Sequence, residues 1–152
     1  MDTSSRAREL EAVRHRRAEL RDTLDALERA LAAPGSSRAV VWGEQLHQAV
    51  DRLASDFALH VEVTEGPGGL HQAILAGDLR LSNQVAALTA EHEQIAADIA
   101  ALAAASEAPV SPDDFLAVRE QGTTLLGRIV RHRQRGADLI YESYATDIGG
   151  GD

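Results

Sequence analysis

The chain has 152 residues, enough for one domain with a sizeable core, and hydrophobic residues make up 44% of it while aromatics make up only 3%. All 15 basic residues are arginine, and against 24 carboxylates they leave a formal net charge of −9, which repels nucleic acid and anionic membranes. The absence of cysteine excludes disulfides, thiolate nucleophiles and sulfur-ligated metal sites, so a bound metal must rest on histidine and carboxylate.

A core of Leu, Ala, Val and Ile favours helices. The first helix follows Thr3-Ser4-Ser5, a capping cluster, and stops at Ala33-Pro34-Gly35. Leu10, Val13, Leu20, Leu24, Leu27 and Leu31 recur within it at spacings of three and four, with Arg17 filling the slot between Val13 and Leu20. The second starts near Ser36-Ser37, carries Leu46, Ala49/Val50, Leu53, Phe57 and His60 on one stripe, and reaches Gly66-Pro67-Gly68-Gly69. Leu70 to Asp78 reads as a short helical turn inside a connection. The third long helix aligns Leu81, Val85, Leu88, His92, Ile95, Ile99 and Leu102. The fourth opens at Ser111-Pro112-Asp113-Asp114, a capping serine with proline at the first helical position, and aligns Phe115, Val118, Leu125, Ile129, His132, Gly136 and Leu139. The tail IGGGD is expected to fray. Helices of about 5–33, 37–64, 79–105 and 112–145, joined by short connections, predict one all-α domain over 1–152: an antiparallel up-down four-helix bundle. The polar N-terminus and the lack of a long apolar run predict no signal peptide, no membrane span and a cytoplasmic protein.

Six histidines are present. Residues three, four or seven apart share a helical face, whereas a separation of two points to the opposite side. His15 therefore faces solvent, His47 flanks its stripe, and His71, in the connection, packs or lies at the surface. His60, His92 and His132 continue the core stripes of Phe57, Leu88 and Ile129. Counting from the connections predicts a central layer of Arg17, His60, His92 and His132, one from each long helix. Buried imidazoles need partners, and three at one level can hold a divalent metal through neutral nitrogens. The arginines at 128, 131, 133 and 135 fall off the inner line and are expected on the flanking and solvated faces.

The order and spacing of LHVEVTEGPGGL (59–70), LTAEHEQI (88–95) and RHRQRGADLIYESY (131–144) resemble the hemerythrin-like family, also called the HHE cation-binding domain. The resemblance implies a four-helix bundle with a non-haem diiron site. His60, His92 and His132 match family ligand positions. Arg17 stands where the family has its first-helix histidine, Thr64 where it has the bridging carboxylate of the second helix, and Gly136 where it has that of the fourth; Glu65 lies one residue, about 100°, from the carboxylate position. Two iron ions need bridging carboxylates, and Arg17 adds a cation that cannot be deprotonated.

The expectation is therefore a reduced site: one iron or zinc ion on His60, His92 and His132, with water or Glu65 completing the shell, in place of an ordinary diiron centre. The alternatives are a metal-free module in which Arg17, Thr64 and the histidines grip a small anion, with Gly136 making room, or a structural or regulatory bundle, dimeric through its first helix. At Gly136 the competing explanation is close packing against Trp42 or Phe57. Tyr141, Glu142 and Tyr144 are expected to pack the end of the bundle. No nucleophile with an oriented base, phosphate loop or dinucleotide fingerprint is present, so an enzyme has the weakest case.

Overall fold

Leu20, Leu24, Leu27 and Leu31 are all buried, and this leucine stripe folds α1 (Thr3–Ala32) against the rest of the molecule. A computed structural model describes residues 3–35 and 38–149; the side chains of 3, 5, 6, 9, 10, 13, 16 and 146–149 lie outside the description, and with them the predicted inner positions Leu10 and Val13. Helix α1 ends one residue before Ala33-Pro34-Gly35. A Cβ on Gly35 would sit 2.5 Å from the Phe115 ring and 2.6 Å from Trp42, so only glycine lets the chain turn this close to the two aromatics. Trp42 donates its indole N–H to the Ala30 carbonyl at 2.8 Å and meets Phe115 edge to face at 4.7 Å, closing this end of the bundle.

Helix α2 (Ala39–Glu65) begins after Arg38, which makes no side-chain cap; the predicted start at Ser36-Ser37 lies outside the described residues. Gly66 ends it, extended before Pro67, and Gly68 carries the left-handed φ of +74° that turns the chain. The connection then forms α3 (Leu70–Gly77) and a single 3₁₀ turn (Leu79–Leu81) held by Asp78, whose carboxylate accepts from the Arg80 backbone N–H at 2.9 Å. Helix α4 spans Ser82–Glu107 and α5 spans Phe115–Gly149. The start of α5 falls later than the predicted 112. Ser111 does cap it, accepting from the Asp114 N–H at 3.2 Å and donating to the Asp114 carboxylate at 2.9 Å, but residues 112–114 stay in the capping turn. At the other end α5 continues past 145 to Gly149, so Ile148 and Gly149 of the expected fraying tail are helical, and 150–152 lie outside the described residues.

The long helices run alternately up and down, as residue pairs across each interface require. Thr23 of α1 donates to the Asp56 carboxylate of α2 while Trp42 reaches Ala30. Glu65 and His47 of α2 meet His92 and Ser106 of α4, Asp98 and Glu91 of α4 meet Arg128 and His132 of α5, and Arg17 of α1 meets Arg133 of α5. Leu31 of α1 lies beside Gly122 of α5, and in each case advancing along one helix means retreating along its neighbour. The described residues thus form an all-α four-helix bundle with α3 laid across one end, and they contain no strand.

Two apolar clusters fill it. The larger holds the α1 leucines, Trp42, Leu46, Leu53, Phe57, Ile95, Ile99, Leu102, Phe115, Leu125 and Ile129. The smaller, under α3, holds Leu70, Ile74, Leu81, Val85, Leu88 and Leu139. His60, His92 and His132 fall between them in sequence on α2, α4 and α5. No helix of the described residues is long and apolar enough to cross a membrane.

Candidate metal centre

Each of the three histidines sits where the inner stripe of its helix passes from the larger apolar cluster to the smaller, so burial follows from helical spacing alone. All three are buried, His92 to 2% exposure and His132 to 3%. One nitrogen from each ring lies within 4.8 Å of the others, and no second group of this kind occurs among the described residues. Ring centroids are 4.7 Å apart for His92 and His132, 5.2 Å for His60 and His92, and 5.7 Å for His60 and His132. Phe57 forms the floor, its ring 5.7, 5.8 and 6.3 Å from His60, His92 and His132.

Two of the rings are held from behind. Glu65 hydrogen-bonds Nδ1 of His92, and Glu91 accepts from Nδ1 of His132 at 2.8 Å while also taking a hydrogen bond from Arg135. A carboxylate can only accept, so each Nδ1 carries the hydrogen and each Nε2 is left with a free lone pair. Such a carboxylate behind an imidazole fixes tautomer and ring orientation and raises ligand basicity. Glu65, expected to complete the ligand shell, engages Nδ1 of His92, and the group whose ligand atoms lie within 4.8 Å of one another consists of His60, His92 and His132.

Burial disfavours the charged form of His60 and His132. Desolvation, then the neighbouring histidines and Arg17, push the His60 pKa down to about 3. His132 is also lowered, because burial outweighs the opposing hydrogen bond that it donates to Glu91. Neutral imidazole is the form a metal needs.

His71, expected to pack or lie at the surface, is buried and belongs to the site. Its ring lies parallel to that of His92 with centroids 5.8 Å apart, Thr89 hydroxyl meets its Nδ1 at 3.3 Å, and desolvation followed by His92 lowers its pKa to about 4. His15 is exposed and His47 flanks its stripe with Nδ1 3.0 Å from the Ser106 hydroxyl, both as the spacing predicts.

The layer opens into a cavity of about 30 Å³, measured for a water-sized occupant and therefore roomy enough for a water or two. Its walls include Leu70, Leu88, Leu139 and Ile140 together with Arg17, Thr64, His71, Arg133 and Gly136. A Cβ on Gly136 would meet nothing within 4 Å, which rules out close packing as the reason for glycine there: Trp42 lies against Gly35, and Phe57 lies beneath the histidines. Thr64 turns its hydroxyl back on its own helix, donating to the His60 carbonyl at 2.9 Å. Arg17 is half-buried, and its Nη2 donates to the Arg133 carbonyl at 3.3 Å. Arg133, expected with its neighbours on the flanking and solvated faces, is half-buried on the flank that meets Arg17. At the end of α5, Tyr141 is 74% exposed and Tyr144 is also exposed, so neither packs the bundle as expected; exposed Glu142 accepts from Gln84 at 3.1 Å.

The chain matches no family model, no curated protein and no solved structure.

Proposed function

We propose that this chain is a divergent hemerythrin-like bundle that holds a single divalent ion, iron or zinc, on Nε2 of His92 and His132 and a ring nitrogen of His60. The observation that carries this reading is the pair of carboxylates behind the rings. A buried histidine that serves only packing is satisfied by any one acceptor and any one donor at its two nitrogens. Here two histidines on different helices each place Nδ1 on a glutamate, which leaves Nε2 for another partner, and both belong with His60 to one buried group whose ligand nitrogens lie within 4.8 Å of one another.

A tetrahedral ion with bonds of about 2.0–2.1 Å sets its nitrogens about 3.3 Å apart, so binding to nitrogens that lie within 4.8 Å of one another draws them together by at most about 1.5 Å. Three imidazoles leave a position open toward the cavity, and the donor set suits both zinc and iron. Thr64 and Gly136 offer no bridging carboxylate for a second ion. Metal analysis of protein purified without an affinity tag, after incubation with Fe(II) or Zn(II), tests the reading. The expected content is about one ion per chain, lost in the His60→Ala and His132→Ala variants; a content persistently below ~0.1 per chain would sink it.

A further inference from the structure

The cavity beside the histidines contains a charge arrangement that the metal reading does not use. Arg17 of α1 and Arg133 of α5 both line it. Both side chains are half-buried, and Nη2 of Arg17 donates to the Arg133 carbonyl at 3.3 Å. Neither has a carboxylate within ion-pair distance among the described residues, in contrast to Arg128 and Arg135. Nε of Arg133 is buried without a hydrogen-bond partner, the only such side-chain nitrogen or oxygen among the described residues. Guanidinium does not escape this cost by losing its proton, so a buried unpaired N–H of this kind calls for an acceptor.

We infer that Arg17 and Arg133 bind a small planar monoanion with two coplanar oxygens, a short carboxylate or nitrite. The guanidinium fork matches two such oxygens, whereas a spherical halide engages it less well. The cavity of about 30 Å³ and its Leu70, Leu139 and Ile140 walls admit only a short ligand, and Gly136 leaves the space in which it lies. The acidic chain thus keeps two cations where an anion enters, against its overall charge of −9. The inference is independent of the metal.

The test uses the full chain stripped of metal by chelation, titrated with formate, nitrite, acetate and butyrate against chloride at constant ionic strength, with thermal stability and calorimetry as readouts. Formate and nitrite should bind saturably and butyrate should not. Arg17→Met and Arg133→Met, which keep an apolar stem, should each weaken formate by about tenfold or more, as loss of a charge-assisted hydrogen bond predicts, while exposed Arg131→Met leaves it unchanged. Formate binding no better than chloride, or undiminished in Arg133→Met, overturns the inference. Should Arg133→Met fail to fold, Gly136→Leu decides: it fills the cavity and must abolish formate binding, and retention there is equally fatal. Zinc titration of the same samples separates the two readings: zinc uptake without formate binding removes this one alone, and formate binding without zinc uptake removes the metal centre alone.

Discussion

Glu91 stands one residue before His92 on α4, yet its carboxylate serves the other histidine, accepting from Nδ1 of His132 on α5 at 2.8 Å. A residue adjacent to an inward-facing one points about 100° away, which on α4 is toward the neighbouring helix. Glu91→Gln keeps the shape but removes the charge and lets His132 adopt the other tautomer. The expected result is a loss of about 10–100-fold in zinc or iron affinity. Global stability should move by less than about 1 kcal/mol, because the Arg135 partner of Glu91 is exposed. Competition with a chromophoric chelator and chemical denaturation measure the two quantities; unchanged metal affinity would remove the orienting role of Glu91.

The same substitution at two glycines should act with opposite sign. At Gly136 a methyl group meets open space in mid-helix, so Gly136→Ala should stabilise the chain by about 0.5–1 kcal/mol while crowding the cavity and weakening formate. At Gly35 the methyl group would run into Phe115 and Trp42, and Gly35→Ala should destabilise by about 1–3 kcal/mol through overpacking. Urea denaturation of the two variants checks both. Stabilisation at Gly136 with undiminished formate binding would mean that the vacancy is not used.

Acidification should unfold the metal-free protein early. His60 and His71 have folded pKa values of about 3 and about 4, below the ordinary 6.5. As the pH drops below about 6.5 the unfolded chain takes up these protons first and is favoured, so the stability present above 6.5 is lost progressively toward the folded values. The interval from 6.5 to 5 isolates this effect, since most carboxylates titrate lower. The melting temperature should fall across that interval and level off above pH 7, with a shallower slope in His60→Gln. A flat profile, or a maximum near pH 5.5, would show that the layer is not held neutral.

The resemblance to hemerythrin-like proteins has a constructive test. Arg17→His, Thr64→Glu and Gly136→Glu together supply the groups that the family pattern has at those positions. Thr64 has no tertiary hydrogen bond to lose, and Gly136 has space for a side chain. The triple variant should take up about two iron ions per chain, the carboxylate-bridged arrangement that such bundles support, against one for the parent. A stoichiometry fixed at one would mean that the three positions do not face a common centre.

What the sequence made legible follows from helical periodicity. Leu20, Leu24, Leu27, Leu31, His60, His92 and His132 are inner residues because spacings of three and four admit no other arrangement on a long amphipathic helix, and the bundle follows from their number and the short connections. Features that depend on which helix lies beside which were hidden. Glu65 and Glu91 sit off the inner stripes and acquire their roles only across the α2/α4 and α4/α5 interfaces. Arg133 neighbours His132 and was therefore placed on the flank, but that flank of α5 faces α1, where Arg17 reaches its carbonyl. His71 belongs to an eight-residue helix too short to display a period, and only the packing of α3 across the bundle end carries its ring to His92. The later start of α5 reflects proline, which marked a helix start although the turn capped by Ser111 comes first.

Among the described residues the two apolar clusters are separate, and on α2, α4 and α5 the histidines lie between them in sequence. Polar side chains contribute less cohesion there than leucine would, so the layer forms a seam across the bundle, along which the smaller cluster under α3 is expected to part from the larger before global unfolding. An occupant bonded to α2, α4 and α5 at once would act as a rivet through that seam. Binding should then be felt less in the leucine-rich half, which is already closed, than in slowed amide exchange across α3 and the adjoining ends of α4 and α5.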